Sequence, residues 1–483
     1  MDVKRQLLAT AAIIGALALS PATVSATNAA SIFDPVTQSL GIPLATDHFL
    51  PSDLDPTSLV VTDAEVADAG PSTDEALVSQ PATIVVDDDK VQCPNAQFTS
   101  IQAAVLAANP GDRILVCPGN YVENVKVPKS LTIVGVHPGG WTNHCQAPTV
   151  PNPTQVAILH YPPLGQLNPY IGFDLLADNI TIGGFFIEPQ LQDGLQAAGI
   201  VSRQTFSGFH ILDNVFQHNS QGAYPGSTGV FPTQVNHNCF RDNNHGGAAS
   251  GNGIYTDIGL INATIADNYF TLDQNGAIVI DTFLAKPSGL TITRNASVDD
   301  SSIALFHVQN STVSKNFSLR SAGSAIYVGG DTSNLQIKQN RLQDGSFNGI
   351  SIHDDTSFPA APNTNLLVER NKISGFGLNG IRIQGVGNTN VVQYNRSEDN
   401  VQDGLHAAGG ANDLPETSAN FLIKRNMMRF NSSFDCYDGN VPTLNQWVEN
   451  KGFTQNQSGL CKHGDDAESQ ENEDQENESE AAD

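Results

Sequence analysis

The sequence predicts an all-β fold: a single-stranded right-handed parallel β-helix with one capping α-helix near its N-terminus. Three observations predict it. A β-rich triplet, a polar residue and an Asn recur at Asn214, Asn238, Asn268, Asn295, Asn316, Asn340, Asn371, Asn395 and Asn426. Successive intervals are 24, 30, 27, 21, 24, 31, 24 and 31 residues, the period of a solenoid. About midway between these asparagines stands a small residue followed by alternating apolar positions. Gly253-Ile254-Tyr255, Gly276–Ile280, Ser302–Leu305, Gly349–Ile352 and Gly380–Ile383 are examples. Alternation of this kind reads as strand. The repeat is too short for a propeller blade and lacks the Leu framework of a leucine-rich repeat. Parallel crossovers are overwhelmingly right-handed, and stacked Asn side chains can bond from coil to coil.

Met1–Ala26 reads as a secretory signal, with Lys4 and Arg5, an apolar run over Leu7–Leu19 and a small-residue site at Val24-Ser25-Ala26. No later segment is apolar enough to span a bilayer. Thr27–Ala82 holds 9 acidic and no basic residues and reads as a disordered spacer. Residues 83–135 form the N-terminal cap and first coils, and residues 136–431 the repeats. Within the former, Thr83–Val86 is a strand and Asp87-Asp88-Asp89 an acidic turn, the calcium reading being the less common one. Ser100–Ala108 is the capping helix: Thr99 and Gln102 have capping-box spacing, and Ile101, Val105 and Ala108 make an apolar stripe. Asn109-Pro110-Gly111-Asp112 stops it. Residues 432–464 close the fold, and 465–483 form a disordered acidic tail with 10 acidic residues and no basic one.

Six cysteines in an exported chain imply disulfides, although six allow 15 pairings. Cys93 and Cys117 flank the helix, and Cys436 and Cys461 flank the final loop. Cys145 and Cys239 remain by elimination. No pair has the spacing of a zinc site. The net charge of −27 resides mostly in the two acidic flanks. The body, Thr83–Gly464, carries 21 basic against 30 acidic residues, which argues against nucleic acid as a partner.

The stretch Phe98–Gly135 reads FTSIQAAVLAANPGDRILVCPGNYVENVKVPKSLTIVG. Its Ile-Gln-Ala-Ala helix, Pro-Gly-Asp, Pro-Gly-x-Tyr-x-Glu and Leu-Thr-Ile-x-Gly resemble the opening of pectin-lyase-like right-handed β-helix proteins. The resemblance covers about Thr83–Asn431, and the closing Cys436–Cys461 segment resembles that of exported actinobacterial β-helix proteins. It implies the fold and an exported bacterial type. It does not choose a chemistry, because the family includes lyases, esterases, hydrolases, epimerases and tailspikes. The Gly-Gln-Ala and Asp-Phe-x-Phe-Gly motifs of its pectin esterases are missing. So is the Tyr-Gly-Phe-Asp-Pro-His motif of alginate epimerases. Polygalacturonase motifs are matched only by Asn388-Thr389-Asn390, Asp354-Asp355 and Arg382-Ile383-Gln384, in the wrong order and without His-Gly or the final Lys. No catalytic set transfers from the family.

Candidate site residues come from the ends of the Gly-Ile strands. Asp257, Asp281, His307, Asp331 and the trio His353-Asp354-Asp355 recur at the repeat spacing, as one column along a face would. Asp354, Asp355, His353 and Asp281 are the catalytic candidates. Asp257, His307, Asp331 and Arg382 are candidates for substrate binding. Neighbouring carboxylates about 5 Å apart can share a cation, so Asp257 and Asp281 are candidate calcium ligands; a close pair also suits glycoside hydrolysis. Arg294, Lys315, Arg370 and Arg425 make a second column, interrupted by Gln339 and Tyr394. Lyases of this fold use a basic residue as proton acceptor, and uronates need cations. A solvated edge is the plainer meaning, as solvated turns are for the first column. Lone His160, His218 and His406 read as structural.

The expectation is therefore a secreted monomer in the extracellular space or cell envelope, off the membrane once the signal is removed. It would bind or process a polysaccharide along a groove, as a hydrolase or lyase. The alternative is a non-enzymatic structural or adhesive surface rod.

Overall fold

The computed structural model describes residues 81–463, except 138–141, 143–144, 164–169, 191–196, 247–248, 283–284, 301, 355–361 and 411–416. The expected signal, all but the last two residues of the spacer and the acidic tail lie outside the described residues.

The described strands stack into three parallel sheets. Sheet A has fourteen strands, from Thr83–Val86 to Gln446–Val448; sheet B has twelve, from Gly119–Tyr121 to Met427–Arg429; sheet C has twelve, from Val125–Val127 to Cys436–Asp438. Strands neighbouring in a sheet are three apart in the chain throughout the repeats, so each coil gives one strand to each sheet. This is the expected parallel β-helix.

The corner from sheet A to sheet B is one residue and an Asn. That residue takes a left-handed conformation in every repeat: φ is 57° at Asp267, 54° at Arg294, 56° at Lys315 and 56° at Gln339. A non-glycine residue there costs roughly 1–2 kcal/mol. The asparagine behind it offsets that cost with buried hydrogen bonds. Asn295 Oδ1 accepts from Asn268 N at 3.1 Å and from Asn268 Nδ2 at 2.9 Å. Asn295 Nδ2 donates to Ile265 O at 2.9 Å. The same set runs on through Asn316 and Asn340 and reaches Asn450, one coil beyond the last copy of the sequence pattern.

Inside the coil, Ile278, Ile303, Ile326, Ile350, Ile381 and Leu405 sit in register on sheet C. Phe216, Phe240 and Phe270 stack on sheet B with centroids 4.7 and 4.9 Å apart. Each such buried side chain contributes about 1.5–3 kcal/mol.

The first coils explain the opening motifs. The helix spans Ile101–Ala107, and its N-cap is Ser100, whose hydroxyl accepts from Ala103 N; the expected Thr99–Gln102 box does not form. Glu123, the Glu of Pro-Gly-x-Tyr-x-Glu, takes that place. It accepts from Ile101 N, Gln102 N and Ser100 Oγ at 2.7–2.9 Å. Gln102 is thereby released to pair with the Lys126 backbone. Ile101, Ala104, Val105 and Ala108 join the main core. Cys93–Cys117, Cys145–Cys239 and Cys436–Cys461 form disulfides, the three expected pairs.

Candidate functional site

Period-two alternation turns every second residue of a sheet C strand outward. The outward file is Tyr255, Val279, Ala304, Tyr327, Ser351, Arg382, His406 and Tyr437, paired coil to coil. Two residues on in each coil lies a second file. Asp281 N donates to Thr256 O, Phe306 N to Ile280 O, Gly329 N to Leu305 O, His353 N to Val328 O and Gln384 N to Ile352 O. Asp257, Asp281, Phe306, Gly329, His353 and Gln384 therefore follow one another.

This corrects the single column expected from spacing. Asp257, Asp281 and His353 share the file, but Phe306 and Gly329 fill the steps between. His307 and Asp331 stand beyond it, both in left-handed backbone with φ of 58° and 51°. Unequal turn lengths break the register that equal spacing implied. His307 nonetheless turns back, and its Nδ1 lies 2.9 Å from Asp281 Oδ1. Asp331 pairs with Lys286, Nζ to Oδ2 3.0 Å. The structure thus gathers Asp281, His307, Asp331 and Lys286 at one turn region, partly exposed to solvent.

Asp257 is buried, and the hydroxyls of Tyr224 and Tyr255 donate to its two carboxylate oxygens. The two rings stack at 5.9 Å. Burial, and then the Asp257 charge, hold both phenols well above their ordinary range. Arg203 grips Asp174 through Nη2 at 2.8 and 2.9 Å and through Nε at 3.0 Å. Tyr224, Tyr255, Arg203 and Lys286 were missed by sequence reasoning. The legible signal was an outward Tyr two residues before Asp257.

His353 is buried, stacked on Tyr327 and bonded through Nε2 to Ser351 Oγ at 3.1 Å; its Nδ1 has no partner. Burial, and secondly the charge of Arg382, lower its pKa to about 3. Asp354 accepts from Asn363 N at 2.9 Å and Val386 N at 2.8 Å, one on each oxygen. Burial raises its pKa against those bonds. Both oxygens thus fasten a turn. Arg382 lies outward beside Ser351. Asp355 lies outside the described residues. His406 is paired with Asp403 at 2.7 Å and stacked on Tyr437. His160 and His218 flank Glu188 at 3.2 and 3.3 Å. Burial would raise the pKa of Glu188, but those imidazoles outweigh it and hold it at about 2.

Among the described residues, Asp87, Asp88 and Asp89 are the acidic or imidazole group of three or more close enough to share one ion. They accept from Cys93 N, Asn120 N and Val91 N respectively, bonds that shape the turn. Among the described residues, Asp257 and Asp281 have no third Asp, Glu, His or Cys placed to share an ion with them.

No family model matches the chain, and no curated protein matches it by sequence. Solved structures match in fold. One is the A-module of an Azotobacter vinelandii mannuronan C-5 epimerase: 14% identity, 76% of this chain, 91% of that one, TM-score 0.41. Another is a mannuronic acid specific polysaccharide family 6 lyase from human gut microbiota: 13% identity, 82% and 94% covered, TM-score 0.47. A third is the DFA-IIIase of Arthrobacter chlorophenolicus A6: 15% identity, 76% and 91% covered, TM-score 0.32. At such identities the likeness is one of fold, and any chemistry must come from the residues.

Proposed function

We propose that this chain is an exported carbohydrate-processing protein that holds an acidic glycan at the turns following the sheet C strands and cleaves it by elimination. The observation that carries the reading is the Asp281–His307 pair, 2.9 Å apart on neighbouring coils, with Lys286 and Asp331 close by. A carboxylate that accepts from imidazole Nδ1 fixes the tautomer and leaves Nε2 as the basic nitrogen. Elimination from a uronate needs one such base to take the proton next to the carboxyl group, and a cation to meet that carboxyl group; the C4–O glycosidic bond breaks as the C4=C5 double bond forms, and the leaving oxygen takes a proton from the imidazolium so formed or from water. Lys286 is suited to the second task. Hydrolysis needs two carboxylates at work; Asp257 and Asp354 are engaged by phenols and by backbone amides, and Asp281 and Asp331 are paired with His307 and Lys286. Export is supported by the three disulfides and by the signal-like first 26 residues.

The test is a panel of polyuronates and neutral polysaccharides, read by the ultraviolet absorbance of unsaturated uronates and by new reducing ends. Both rise for the wild-type chain on a polyuronate, and His307→Asn lowers the rate on the order of 10²–10⁴-fold. Reducing ends without absorbance would replace elimination by hydrolysis. Binding without turnover would favour a second reading, a glycan-binding surface rod.

A further inference from the structure

The two ends of the coil are closed differently. At the N-terminal end, Gln97 N and Phe98 N donate to Val85 O of the first strand, and the capping helix follows. At the other end, Lys451 bridges the last strand of sheet B and Lys462 bridges Lys451, while Gln455 bridges the last strand of sheet C. Sheet A ends on Gln446–Val448. That strand pairs with Phe421–Lys424 on one side and, among the described residues, with nothing on the other. Leu444 O and Val448 O accept from Asn420 N and Arg425 N of the preceding coil. Backbone alternation therefore turns the N–H and C=O of Trp447 toward the open side.

An edge strand is a template for another strand unless charge or proline blunts it. Gln446, Trp447 and Val448 carry neither. The Trp447 side chain packs against the core, and its Nε1 donates to Asp438 Oδ2 at 2.9 Å. Val441, Leu444 and Val448 instead meet solvent, 80 %, 54 % and 42 % exposed, so the edge is apolar as well as open. The chain also carries a matching strand. Residues 81–87, which hold the first strand of sheet A, read Pro-Ala-Thr-Ile-Val-Val-Asp, and residues 56–63 read Pro-Thr-Ser-Leu-Val-Val-Thr-Asp. Runs of this composition suit strands. Residues 465–483 hold no β-branched or aromatic residue and do not supply one.

We infer that Leu59-Val60-Val61-Thr62 of one copy adds a strand to the open edge of sheet A in a second copy, joining coils head to tail. Distance decides for a second copy. Fourteen strands about 4.8 Å apart put the two ends of sheet A about 62 Å from each other. Between Thr62 and Thr83 lie 20 residues. A chain of that length averages about 25 Å end to end and reaches about 70 Å only when fully extended. The joint is heterologous and does not close on itself, so chains of copies grow, in place of the monomer expected from the sequence. It brings the acidic residues 27–82 of one copy to the end that the acidic residues 465–483 of the next follow, so it tightens as salt screens their repulsion. Asp281 and His307 take no part in it, and the inference stands without the cleavage reading.

Sedimentation velocity over a concentration series tests the joint. The wild-type mature full chain grows from monomer to successively longer species, more at moderate than at low salt. Val60→Pro/Val61→Pro removes two successive ladder donors, and Val448→Lys puts a charge on the edge; each weakens association at least about tenfold, with an unchanged melting temperature. The first variant keeps the edge and lacks the strand, and the second keeps the strand and lacks the edge. Mixing the two gives a dimer that grows no further. A wild-type chain that stays monomeric at every concentration, or stops at a closed dimer, overturns the inference. So does wild-type growth in either variant, or a mixture that does not dimerise.

Discussion

At the scale of single residues, burial decides what each titratable group does. His353 has its pKa lowered to about 3, first by burial and then by Arg382. The unfolded chain binds that proton near 6.5 and the folded one does not. Stability is therefore full above 6.5 and is lost as pH falls toward 3. Thermal melts across that window should show His353→Phe, which keeps the stack on Tyr327, losing less stability on acidification than wild type. Asp273 behaves in the opposite sense. Burial, and then the nearby Asp300, push its pKa well above 3.8, while Asn243 donates to Oδ1 twice at 2.9 Å. Its contribution is present below 3.8 and is lost as pH rises through the raised value. Asp273→Asn keeps an acceptor for Asn243 and removes the charge. It should raise the melting temperature at neutral pH and leave it nearly unchanged in acid. A variant melting below wild type at neutral pH would refute the assignment.

At the scale of the element, the unit is the corner between sheets A and B. Asn316 Nδ2 donates to Ile292 O and Asn340 Oδ1, and its Oδ1 accepts from Asn295 N and Nδ2. Asn316→Ala strands buried groups on both neighbouring coils, and urea melts should register a loss of about 2–4 kcal/mol. Its neighbour Lys315 tests the backbone alone. At φ of 56° a β-branched residue is strained, so Lys315→Val should lose about 1 kcal/mol, whereas Lys315→Gly should match wild type. Equal stability for the two would mean that the left-handed corner is not a constraint. Gly119 shows the complementary case, since a Cβ there would run into the Asp88 carboxylate, which would have to move.

At the scale of the whole molecule, each coil rests only on its neighbours, and the core is one apolar cluster in which files from all three sheets run from end to end. A charge inside that cluster has no water and no partner. Ile350 and Ile381 are fully buried and stacked on each other in sheet C. Ile350→Asp or Ile381→Asp should cost at least about 4–5 kcal/mol and remove the far-ultraviolet β signal in one transition. A small change in melting temperature in both variants would mean that the inward face has been misassigned. The Cys145–Cys239 bridge spans 94 residues and holds a loop over the outer face of sheet B, where Ala147, Ile158, Phe186 and Val215 form a separate cluster. The solenoid can therefore bury apolar surface outside its barrel as well as within it.

The sequence by itself determined the coil. Asn spacing, period-two strands and the Pro-Gly-Asp and Pro-Gly-x-Tyr-x-Glu motifs depend on neighbours in the chain or one repeat away, so they are legible in one dimension. The Cys93–Cys117 and Cys436–Cys461 pairs were legible for the same reason, as flanks of segments, and Cys145–Cys239 only by elimination. The site was legible only in part. Asp281 and His307 stood out as polar residues at strand ends, but equal spacing made one column of what register divides into two. Tyr224, Arg203 and Lys286 act through partners on other coils. Their roles depend on which side chain lies opposite which, and that follows from turn lengths that differ from coil to coil. The open end of sheet A was hidden in the same way. Gln446–Val448 becomes an edge only because the chain after it turns to bridge sheets B and C, through Lys451, Lys462 and Gln455, and not sheet A.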